Sequence, residues 1–277
     1  MGCSPLATYT RISPSRTSPK THENDHVIIH CFVGQVTAKR GCDYFADPSI
    51  EASAQYVIGL DGSIGNGVDE GDRAWTTGGK DPKTKKPIYV NGISGAMMDQ
   101  RAITIEVACD PTYPYAVTDA AMEALISLLV DICKRNSAIG RLRWKGDKSL
   151  VGKPEEQNMA VHRWFAPKEC PGDYLYEHHG QIAAEVNRRL DEEEKDMDEK
   201  KMREAFTAFM AEYEKSKALP VPDSTPADWE KEAVEWATSN DLMFGDGTGN
   251  LMLHSPITRA QFCVMLMRYH QKFGGGN

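Results

Sequence analysis

The sequence has no apolar run approaching the roughly 18 residues that a membrane-crossing helix needs. Its first twenty residues, MGCSPLATYTRISPSRTSPK, lack the apolar core of a secretory signal. The chain is therefore expected to be made in a cytoplasm and to have no membrane span. A disulfide framework is missing too: the seven cysteines, at positions 3, 31, 42, 109, 133, 170 and 263, are odd in number and scattered. Reduced thiols are then the default, each free to act as a ligand. Basic excess is also absent. With a formal net charge of -8, the chain gains no general attraction to phosphate-rich polymers, so no nucleic-acid partner is expected.

At 277 residues, 40% of them hydrophobic, there is material for one full core and a second small module. Residues 1 to about 25 are rich in Ser, Thr and Pro and read as an irregular arm. HVIIHCF (26–32) has the β-branched apolar pattern of a buried strand, and RAITIEVACD (101–110) reads the same way. AQYVIGLDGSIGNGV (54–68) is a hairpin around Asp61-Gly62, a pair that tolerates positive φ. Residues 71–98 are polar and glycine-rich. Thr118 caps an amphipathic helix running to Asn136, and a last helix of this part spans 173–190. Strands interleaved with helices predict an α/β fold with a mixed central sheet flanked by helices.

Composition then shifts. Residues 191–200 hold seven acids and two lysines, and from residue 191 onward there are 10 basic and 17 acidic residues. MREAFTAFMAEYEK (202–215) sets Met202, Phe206, Phe209 and Tyr213 on one helical stripe, and LPVPDSTP (219–226) breaks it. Two helical patterns, 228–241 and 258–273, flank GDGTGN. Asp246 could open a calcium loop only with an acid at position 257, where Ile257 stands. The predicted organisation is a domain over 1–190, an acidic helical linker over 191–226 and a small all-α module over 227–277.

The chemistry concentrates in NMAVHRWFAPKECPGDYLY (158–176). His162, Lys168 and Cys170 lie close together there, and zinc accepts imidazole nitrogen and thiolate sulfur. His30, on the first buried strand, would complete a set of three that leaves one position for water. Zinc lowers the pKa of such water from 15.7 toward about 7. On the residues alone each has an ordinary alternative: His30 as a satisfied strand histidine, His162 packed beside Trp164, and Cys170 as a small buried hydrophobe. The pair His178-His179 reads as a polar helix face.

VIIHCF, ASAQYVIGLDGSIGNGVDEGDRAWTTGG, AITIEVA and VHRWFAPKECPGDYL, in that order over residues 25 to 190, resemble the signature segments of the type 2 N-acetylmuramoyl-L-alanine amidases. These include phage endolysins, bacterial autolysins and peptidoglycan recognition proteins. The resemblance implies Zn2+ held by His30, His162 and Cys170, and cleavage of the amide between N-acetylmuramic acid and L-alanine in peptidoglycan. It further implies Lys168 as oxyanion stabiliser, and Tyr56 or Glu106 as the group that assists proton transfer. Trp75 and Thr76 become substrate contacts, although Thr76 stands where the family commonly has histidine.

Residues 228–270 resemble a single S-layer homology module, which implies attachment to a secondary cell-wall polymer with Arg259 as a contact. Association of chains through the 202–213 helix is a further expectation. The combined expectation is an endolysin that acts at the bacterial wall after release. The alternatives are an autolysin, an amidase of recycled muropeptides, or a recognition protein that binds without cutting.

Overall fold

Two eight-residue segments, His26–Val33 and Ala102–Cys109, are largely apolar, and strands of that composition are buried on both faces. In the computed structural model, which describes residues 2–217 and 225–274, they lie side by side as the parallel centre of a six-stranded sheet. In chain order the strands are β1 (Tyr9–Thr10), β2 (Arg16–Thr17), β3 (His26–Val33), β4 (Tyr56–Ile58), β5 (Ile64–Asn66), β6 (Arg73–Ala74), β7 (Tyr89–Val90), β8 (Ile93–Ser94), β9 (Ala102–Cys109) and β10 (Met159–Ala160). The main sheet runs β1-β5-β4-β9-β3-β10, with β4 and β5 antiparallel and the other neighbours parallel. It is thus mixed, as expected. Gly62, at φ 78°, closes the β4–β5 hairpin in the left-handed region that glycine adopts without steric cost.

The helices are α1 (Ala38–Phe45), α2 (Gly95–Met98), α3 (Asp119–Arg135), α4 (Gly172–Lys217), α5 (Lys231–Ser239) and α6 (Arg259–Phe273). Thr118 caps α3 by accepting from the Ala121 N–H, and Lys134 and Arg135 lie at its negative end. Its apolar stripe, with Leu125, Leu128, Leu129 and Ile132, packs on Val27, Ile29, Ile103, Ile105 and Val107 of the sheet. Leu175, Ile182 and Val186 of α4 join the same core. Each such side chain contributes about 1.5–3 kcal/mol on burial.

Side chains alternate along a strand, so Ile28 belongs to a second core on the opposite face, with Met98, Trp164 and Phe165. His30 and Glu106 are in register with each other across β3 and β9. By the same alternation both point away from α3. That face carries the candidate site.

Two sequence expectations change. The N-terminal arm is pinned rather than irregular throughout, because β1 pairs with β5, β2 pairs with β6, and the Ser4 N–H donates to the Tyr56 hydroxyl at 2.6 Å. The helix expected to end near Leu190 continues through the acidic run to Lys217. Exposed acids and bases suit a solvated helix, and Arg188 and Arg189 pair within it to Glu185 and Glu192.

The chain divides into two compact units, Met1–Met197 and Asp198–Asn277. In the second, Thr258 and Gln261 form a reciprocal capping box at the start of α6. Leu242 is the buried hydrophobic residue among the described residues of this unit. Of the proline-rich break expected at 219–226, residues 219–224 lie outside the described residues. All seven cysteines are free thiols.

Candidate metal centre

His30 comes from β3, whereas His162, Lys168 and Cys170 come from the connection between β10 and α4. His162 opens a 3-10 turn (His162–Trp164) directly after β10. Cys170 stands two residues before the start of α4, and Gly172, the first residue of that helix, adopts φ 82° with no room for a side chain: a Cβ would lie 2.8 Å from Tyr115 Cβ. Glycine is required at that turn. It fixes where Cys170 emerges.

The ligand atoms of His30, His162 and Cys170 all lie within 4.8 Å of one another. Cys170 Sγ is 3.3 Å from His30 Nδ1, and the two imidazole centroids are 5.1 Å apart at 67°. Each ring is held from its far side. His30 Nε2 lies 3.4 Å from Thr77 Oγ1, and the His162 ring is hydrogen-bonded to the Gly78 backbone. His162 Nε2 is then left buried with no partner. Leaving such an atom unsatisfied costs about 1–3 kcal/mol, a cost that a metal ligand bond removes. Two imidazoles and a thiol, with one nitrogen orphaned toward the other donors, fit a zinc ion with an open fourth position.

Burial is the main cause that drives the His30 pKa well below the ordinary histidine value, followed by the charges of His162 and Lys168. Burial and then Lys168 bring His162 down to about 4. Both rings are therefore neutral at pH 7, the form that ligates. A hydrogen bond to Cys31, then burial, pushes the Cys170 thiol up. A cation would reverse that, since a coordinating thiol loses its proton.

A cavity of about 410 Å3 opens onto this set, lined among others by Glu106, His162, Lys168, Cys170, Trp75 and Thr76. Burial pushes the Glu106 carboxyl up to about 8, with the charge at Cys31 adding to the rise and Lys168 opposing it. Trp75 is held at the cavity by its indole N–H, which donates to Thr17 Oγ1 at 3.0 Å. The Thr76 hydroxyl is turned inward, donating to the Ser53 carbonyl at 2.6 Å.

Tyr56 is the expectation that the structure overturns. It pairs in register with Ile105, so it faces α3, on the opposite side of the sheet from Glu106. It is wholly buried, and its hydroxyl donates to Glu70 at 2.5 Å. Glu70 in turn is held by Arg135 of α3 at 2.7 Å. This tyrosine is a structural anchor.

Sequence reasoning missed Asp99, a wholly buried carboxylate whose oxygens accept the Thr76 and Thr77 N–H groups at 3.0–3.2 Å. It holds in place the loop that braces His30, and nothing in its surrounding MMDQ marks it. Thr77 and Gly78 sat in plain view in AWTTGG. His179 corrects the polar-face reading: it is wholly buried beside Trp144, with ring centroids 4.6 Å apart and Nδ1 2.6 Å from the Leu175 carbonyl oxygen.

In the second unit a cavity of about 520 Å3 is lined by Phe244, Ile257, Val264 and Arg268, among others. Arg259, exposed in the first turn of α6, is not part of that lining.

The model of the N-acetylmuramoyl-L-alanine amidase family matches residues 20–173, and that of the S-layer homology domain matches residues 222–263. No curated relative matches the chain in sequence. Among solved structures, an AmpD selenomethionine derivative is similar with 20% identity and a TM-score of 0.43, covering 65% of this chain and 95% of that one. A mutant endolysin from Bacillus subtilis is similar with 14% identity and a TM-score of 0.43, covering 64% and 97%. The amidase LysCS from Clostridium intestinale URNW shares 16% identity at a TM-score of 0.35, covering 65% and 97%. With more than half of its 277 residues inside the family match and His30, His162 and Cys170 gathered in one cluster, the chain belongs to the N-acetylmuramoyl-L-alanine amidase family.

Proposed function

We propose that this amidase is a zinc-dependent hydrolase that cuts the amide between the lactyl group of N-acetylmuramic acid and L-alanine, and that it works as an endolysin. The observation that carries this reading is the convergence of His30, His162 and Cys170, from distant segments, with His162 and Cys170 lining one cavity together with Lys168 and Glu106. A zinc ion held by those three residues would supply Lewis acidity and a water acidified enough to attack at neutral pH.

The chain's own residues account for the remaining chemistry. Attack on the scissile carbonyl builds negative charge on its oxygen, and the Lys168 ammonium, which lines the cavity, stabilises that charge. Glu106, with its carboxyl pushed up to about 8 by burial, is poised near working pH. Such a group can take the proton of the attacking water and deliver it to the departing L-alanine nitrogen. Trp75 and Thr76 contact the glycopeptide along the cavity wall. Loop closure on Asp99 keeps His30 oriented before substrate arrives.

In this reading residues 1–190 are catalytic, 191–226 link, and 227–277 hold a secondary cell-wall polymer, with Arg259 as one contact. The enzyme reaches its substrate after release from the cell. Among the described residues no helix is long and apolar enough to cross a membrane.

Mass spectrometry of digested walls tests the bond. New L-alanine amino termini are expected; new reducing sugar ends would mean a glycosidase instead. Metal analysis tests the site independently: the purified protein is expected to hold about one zinc, and Cys170→Ser to lose it together with wall lysis. Full lysis by Cys170→Ser would show the ligand set to be wrong.

A further inference from the structure

Past residue 197 the helix α4 carries a stripe that the described residues of the chain do not cover. Met202, Phe206 and Phe209 are 72%, 63% and 61% exposed. Tyr213 continues the line, its ring stacked on Phe209 with centroids 6.2 Å apart. The spacing of 4, 3 and 4 alternates the two apolar positions of a heptad, the seam of a two-stranded coiled coil. Upstream the seam stops, because residues 191–200 hold seven acids and two lysines.

We propose that residues 198–217 pair in parallel with the same segment of a second copy of this chain. The charges flanking the stripe identify the occupant. With Phe206 and Tyr213 at the a position, the preceding g positions are Asp198, Ala205 and Glu212, and the e positions are Arg203, Met210 and Lys217. In a parallel pair each g residue faces the e residue five positions on in the other copy. Asp198 then meets Arg203 and Ala205 meets Met210: opposite charges beside an apolar contact. An antiparallel pair would set g against g, with Asp198 on Glu212, acid on acid. Like charges so placed repel.

Two heptads span roughly 21 Å of helix. So short a coil is marginal by itself, and the association is therefore concentration-dependent. Its consequence is avidity, since a dimer carries two C-terminal modules on one particle.

Sedimentation equilibrium of the full chain tests this. The average mass is expected to rise from 30.8 kDa toward twice that value with concentration, over about 1 to 200 µM. A mass fixed at the monomer throughout overturns the proposal. Phe206→Asp with Phe209→Asp is expected to abolish the rise while wall lysis per chain at dilute concentration and the thermal transition stay unchanged. Asp198→Lys is expected to weaken association about threefold, because it faces Arg203 as a like charge on both sides of the seam. Adding Arg203→Glu is expected to restore it. Association unaffected by the first charge reversal, or not recovered by the second, would rule out the parallel register.

Discussion

Whether a side chain in this fold does chemistry or holds the sheet together is decided by which face of a strand it occupies. Glu106 and Tyr56 lie on neighbouring strands, yet Tyr56 is paired with Ile105 and Glu106 with Val57. One residue of offset sends the carboxyl to the cavity and the phenol to Glu70 beneath α3. The two make a discriminating pair of variants. Glu106→Gln is expected to lower kcat about 10²- to 10⁴-fold, the usual loss on removing an acid-base group, with zinc content and melting temperature near wild type. Tyr56→Phe is expected to do the reverse. It removes the phenol that donates to Glu70 and accepts from the buried Ser4 N–H, costs about 1–3 kcal/mol of stability and leaves kcat within about twofold. Equal kcat losses in both variants would contradict the placement of the proton-handling role on Glu106.

Elements were legible in proportion to how local their cause is. β3, β9 and α3 follow from apolar runs and a Thr cap, and the β4–β5 hairpin follows from Asp61-Gly62. The candidate ligands His30, His162 and Cys170 were legible through motif resemblance, while their closeness could be seen only after folding, since β10 must lie beside β3. Asp99 was illegible because its value lies in two N–H groups more than twenty residues away in sequence. The course of α4 beyond Leu190 was misjudged because strong charge reads as a linker but also suits a solvated helix.

The loop from Thr76 to Gly79 belongs to this second, non-local kind. At Gly79 a Cβ would sit 2.4 Å from Ala166 Cβ and 2.7 Å from the Phe165 carbonyl oxygen, so the loop bracing His30 is packed directly on the loop bearing Lys168. Gly79→Val is expected to force the two apart. Because outer supports of metal ligands typically matter 10- to 100-fold, zinc affinity should fall by about that factor. Isothermal titration with zinc would measure it, and wild-type affinity would mean that the contact is slack.

For the whole molecule, the buried titratable groups set how stability responds to acid. His162 and His179 have pKa values lowered from 6.5 to about 4, and His30 is lowered well below 6.5, in each case chiefly by burial. Between those limits the unfolded chain binds protons that the folded rings refuse, so stability rises with pH there and is lost as pH falls. Two carboxyls act in the opposite sense. Burial raises Glu106 to about 8 and Asp99 to about 6, so in the mildly acidic range the folded state binds protons that the unfolded state has shed. Among these five groups, three histidines against two acids leave the balance with the histidines near pH 5.5, so the metal-free protein should lose stability as pH falls through that range. His179 isolates one of these contributions, because it lies away from the metal ligands against Trp144 and its Nε2 has no partner to lose. His179→Leu removes one proton from the difference between the two states. Urea midpoints taken every half pH unit between 6.5 and 4 should therefore show a pH slope shallower by up to about 1.4 kcal/mol per unit than wild type. An unchanged slope would mean that His179 takes up its proton within the fold, against the burial that surrounds it.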